Sequence, residues 1–107
     1  MRTVMTVANL AAAKARIAES LGLSEDELLR QGLESLLRER KHEVMQQRLD
    51  ILARHSVETV QDLKFKITQG VVAEHPAWED LITVENLDTR QREFDGYLGE
   101  LQDLASI

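Results

Sequence analysis

Seven positions near the C-terminus, Val84, Leu87, Gln91, Phe94, Leu98, Leu101 and Ala105, alternate spacings of three and four residues without a break. A helix puts such positions on one side, because about 3.6 residues complete a turn. The run is a seam of three heptads with Gln91 its one polar member, and a seam of this kind has to be covered. The cover is another part of the chain, a second copy or a partner protein, and the spacing leaves all three open. Gly96 and Gly99 fall inside the run and weaken the helix, so the segment is expected to order fully only against what covers it.

The rest of the chain carries the same periodicity. The strongest local signal is Ser24-Glu25-Asp26-Glu27. Ser24 is placed to accept from the backbone N–H three residues on while Glu27 reaches back, a capping box with Leu23 and Leu28 as its hydrophobic staple. Three acids in the first turn also suit the positive end of the helix dipole. Apolar positions follow at Leu28, Leu29, Leu33, Leu36 and Leu37, lapse over Arg38–Lys41, and resume from Val44 to Leu52. No glycine or proline interrupts residues 33–55, so one long helix is expected.

Before it, Leu10, Lys14, Ile17 and Leu21 predict a helix starting near Asn9 and ended by Gly22. After it, Ser56 is the expected cap of a short helix that Gly70 terminates. Pro76, the single proline, marks the first turn of another helix. The exception is Met1–Val7, which is rich in β-branched residues and would set Arg2, Val4 and Thr6 on one face of a strand. A lone strand is unstable in water and has to pair with another chain. The expected fold is mainly α: a short N-terminal strand, a long helix and C-terminal amphipathic helices. Residues 1–55 are read as a dimerisation region, 56–70 as a connecting helix and 71–107 as an acidic partner-binding tail.

Composition narrows the function. The four aromatic residues, Phe65, Trp78, Phe94 and Tyr97, are few for 107 residues. The core therefore has to come from aliphatic side chains on packed helices, often completed by a second copy. There is no cysteine, which points to a reducing, cytoplasmic setting. The apolar run Val4–Ala13 is too short to span a bilayer, and the N-terminus lacks the pattern of a secretory signal. His42, His55 and His75 lie on unrelated turns, so no metal site is expected. No phosphate-binding loop or activated nucleophile is present either. The expectation is a non-enzyme with no cofactor and no membrane partner.

Net charge is −6, unevenly spread: residues 1–66 hold 11 Lys/Arg and 10 Asp/Glu, whereas 67–107 hold Arg90 and Arg92 against nine acids. An acidic helical tail is suited to docking on a basic surface, or simply keeps the protein soluble.

The order of strand, helix, Leu21-Gly22-Leu23-Ser24 and acid-led helix over Met1–Arg40 resembles a ribbon-helix-helix domain, the dimeric module of many bacterial repressors and antitoxins. The resemblance implies a homodimer whose paired strands enter DNA with Arg2, Val4 and Thr6 outward. It also implies an antitoxin-like regulator, one that neutralises a basic toxin with its C-terminal extension and autorepresses its operon. On that reading Trp78, Leu81, Val84, Leu87, Phe94, Tyr97, Leu98 and Leu101 contact the partner, tryptophan and tyrosine being enriched at interface hot spots. The competing expectation is an all-helical structural protein that oligomerises and has neither DNA nor toxin as partner.

Overall fold

A computed structural model describes residues 6–106 and places four helices there: α1 (Val7–Leu21), α2 (Glu25–Arg54), α3 (Val60–Thr68) and α4 (Glu74–Ala105). No strand occurs among the described residues, which corrects the expectation of an N-terminal strand. The physical reason lies at Thr6 and Val7. Thr6 is the N-cap of α1, its Oγ1 accepting from the Asn9 N–H at 3.1 Å, and Val7 is already helical. A β-branched residue with a side-chain acceptor serves a helix start as well as a strand. Arg2 and Val4 lie outside the described residues.

Two units are distinguished, Met1–Leu36 and Leu37–Ile107. In the first, α1 ends at Gly22, whose φ of 70° is left-handed and costs glycine little. Its N–H bonds to the Glu19 carbonyl at 3.1 Å and that of Leu23 to Ala18 at 2.9 Å, which satisfies the last carbonyls of the helix. Ser24 then caps α2, accepting from the Glu27 N–H at 3.1 Å. The Glu27 side chain does not return to Ser24; it is held by Arg30 and Gln31. The capping box is therefore half formed.

The second unit holds the core: Ile51 and Leu52 of α2, Leu63 and Ile67 of α3, and Ala77, Leu81 and Val84 of α4. α3 starts one turn later than Ser56 suggests. Thr59 accepts from the Asp62 N–H at 3.0 Å, whereas Ser56 sits at φ 55° in the connecting turn. In α4, His75 is extended (φ −113°, ψ 118°), so regular helix runs on from Pro76. No helix among the described residues is long and apolar enough to cross a membrane.

Candidate interaction surfaces

In the first unit, α1 presents Leu10, Ile17 and Leu21, and α2 presents Leu29, Leu33 and Leu36. Each set recurs at helical spacing and so lies along one side of its helix. All six are between 42% and 60% exposed, while the only buried residue among the unit's described residues is Ala18, at 2%. The polar side of this part of α2 is internally satisfied. Arg30 bridges Glu27 and Glu34, its Nη1 lying 2.9 Å from Glu34 Oε1 and its Nε 3.2 Å from Glu27 Oε2. That guanidinium, with a further bond from Gln31, holds the Glu27 carboxyl below its ordinary value, and Glu27 in turn raises Arg30. Lys14 reaches Glu25 at 3.6 Å. Lys14, Glu25, Glu27, Arg30 and Glu34 are thus paired within the unit, and its large aliphatic side chains are left uncovered.

In the second unit the seam on α4 is the inward face. Leu81, Val84, Phe94 and Leu98 are buried, and Leu87, Gln91 and Leu101 are partly buried. Of the eight residues expected to contact a partner, these four core residues are engaged by their own chain. Trp78 and Tyr97 remain outside, 42% and 48% exposed. The Arg90 guanidinium lies 4.5 Å from the centre of the Phe94 ring and shields it further.

Charged residues flank the seam. Lys41 Nζ is 2.6 Å from Asp95 Oδ1, Arg48 Nε is 2.6 Å from Asp88 Oδ1, and His55 Nε2 is 2.7 Å from Asp80 Oδ2. Lys41 and Arg48 ascend α2 to His55 just past its end, as 95, 88 and 80 descend α4, so this part of α2 and α4 run antiparallel. Sequence reasoning missed the ladder, although a basic residue or histidine at each seventh position of one helix was the available signal. At its end, Lys66 Nζ donates to the His55 carbonyl at 2.9 Å and Arg54 lies 3.7 Å from Asp80, closing the C-terminus of α2. This His–Asp pair ties the turn after α2 to α4. No group of three or more metal-ligating side chains occurs among the described residues. An open concavity of about 540 Å³ beside Arg40, Glu43, Gln47 and Phe94 has its Arg40 already paired with Glu43 at 3.4 Å.

Of the DNA-contact candidates, Thr6 is committed to capping α1, and Arg2 and Val4 are outside the described residues. The family described as "Uncharacterized protein MJ0235 family" matches over residues 5–106. No curated protein and no solved structure matches the chain.

Proposed function

This chain belongs to the MJ0235 family, and we propose that it is a non-catalytic helical protein that self-associates through its first unit. The observation that carries this reading is the imbalance of that unit, six large aliphatic side chains near half exposure against one buried alanine among its described residues. Two helices without a shared core are marginal in water. Completing the burial of a half-exposed Leu or Ile stabilises by about 1 kcal/mol. The faces of two copies together then contribute roughly 10 kcal/mol before the entropy of association is deducted. Self-association also suits the chemistry of the face: interfaces between permanent subunits are the apolar ones. Neutralisation of a toxin is a narrower role for the same protein. The wider reading is favoured because half of the residues expected to hold a toxin are taken up by the chain's own core.

Sedimentation equilibrium of the full chain over a wide concentration range tests the proposal. A mass of at least two chains that falls only on dilution is expected. A single-chain mass at every concentration refutes it.

A further inference from the structure

α4 has a second stripe, on the side opposite its seam. Trp78, Ile82, Glu85, Thr89, Glu93, Gly96, Tyr97, Glu100, Asp103 and Leu104 are all exposed. At about 100° per residue they occupy roughly a third of the helix circumference. The stripe has a consistent design. Apolar side chains sit at its two ends, Trp78 and Ile82 at one and Tyr97 and Leu104 at the other. Between and beside them lie Glu85, Glu93, Glu100 and Asp103; the arginines nearest the stripe, Arg90 and Arg92, border it and reach Glu93 and Thr89. Of these acids, Glu93 is paired, with Arg90 at 2.8 Å; Glu85, Glu100 and Asp103 have no cation within 4 Å among the described residues.

Gly96 supplies a second, independent observation. A glycine within a helix is unfavourable relative to alanine, and here a Cβ would meet no atom within 4 Å. Internal packing does not require it, and on an exposed face a glycine leaves room for another backbone to come close; the same open space surrounds the other glycines, so it is the place of Gly96 on this stripe that matters.

We infer that this outer stripe of α4 is a docking surface for a basic amphipathic helix of a partner protein. The apolar ends anchor it, the acids pair with its lysines or arginines, and Gly96 lets the two helices come close. Charge complementarity selects this occupant: a nucleic acid or an anionic membrane would be repelled by the same four carboxylates. A second copy meeting this face with its own, as two-fold symmetry requires, would set acid against acid. The inference concerns a different unit from the self-association face and stands or falls separately from it.

Trp78 is the single tryptophan, so its fluorescence reads this surface directly. The probe is a synthetic Lys/Leu amphipathic helix of about 20 residues, long enough to cover most of the stripe, titrated into the full chain, with a Glu/Leu helix of equal length as control. A saturable blue shift with the basic helix alone is expected. Glu85→Lys/Glu100→Lys/Asp103→Lys should weaken it about tenfold or more, since like charges across an interface reject a partner. Glu19→Lys/Glu39→Lys/Glu58→Lys, which changes net charge equally but lies off the stripe, should weaken it far less. Gly96→Ala should raise the melting temperature while weakening the peptide. The inference is overturned if no shift occurs, if the acidic helix shifts Trp78 equally, if the two charge-reversal sets act alike, or if Gly96→Ala binds as well as the parent.

Discussion

Arg48 Nε donates to Asp88 Oδ1 at 2.6 Å, and this pair lies midway along a ladder that fixes how α2 and α4 align in the second unit. Lys41–Asp95 and His55–Asp80 lie about two helical turns to either side. Sliding α4 by one turn would break all three together, so the ladder selects one register of the seam.

The rungs should differ in strength with their exposure. Asp88→Asn breaks a pair whose side chains are each about a quarter exposed, and should cost about 1 kcal/mol. Asp80→Asn leaves His55 without its partner at the more enclosed end, 12% and 17% exposed, and should cost about 1–3 kcal/mol. Urea unfolding of the two variants checks the order.

Leu63 is fully buried where α3 meets α4. Leu63→Ala should destabilise by about 2–5 kcal/mol at any protein concentration. Leu33→Ala, on the uncovered face, should lower stability only where the protein is concentrated enough to associate, because that loss enters through mass action. Thermal melts at two well-separated concentrations distinguish these responses.

Acid should loosen the start of α2 through Glu27. Its folded value is depressed below the ordinary 4.5, first by the hydrogen bonds from Arg30 and then by that from Gln31. The stability it contributes is therefore present above about pH 4.5 and is lost as pH falls through the lower folded value. Glu27→Gln should flatten the acid limb of the ellipticity–pH curve and lower helicity near neutrality. An unchanged acid limb would contradict the assigned role of the Arg30 pair.

Gly22 is held at φ 70° with no atom within 4 Å of a Cβ placed there. Gly22→Ala should cost about 1–2 kcal/mol from backbone strain alone, and Gly22→Asn less, because asparagine tolerates this region better. The two melting temperatures should fall in that order.

Much of this was legible in the sequence wherever one residue type has one structural use. Gly22 ends α1, Ser24 starts α2 and the absence of Gly and Pro over 33–55 gives a single helix there. Legibility failed where one chemistry serves two ends. Thr6 caps a helix as readily as it edges a strand. Ser56 and Thr59 are both cap-forming residues, and only the left-handed backbone at Ser56 separates them. The seam is covered from Val84 to Leu101 and leaves Ala105 exposed, and periodicity does not say what covers it. The chain's own packing engages Leu81, Val84, Phe94 and Leu98 and turns Trp78 and Tyr97 outward. The unmatched leucines of the first unit were visible as a pattern, yet their exposure is a property of the fold.

The most direct test of the central claim is the solution mass by light scattering of three full-length chains: the parent, Ile17→Lys/Leu33→Lys and Ile82→Lys. All three sites are surface positions, 50%, 42% and 55% exposed, so each chain should keep the core of its second unit. The parent should be associated, Ile17→Lys/Leu33→Lys should have a single-chain mass with its helicity largely kept, and Ile82→Lys should be associated. A parent of single-chain mass, or a double variant that associates like the parent, would contradict that claim.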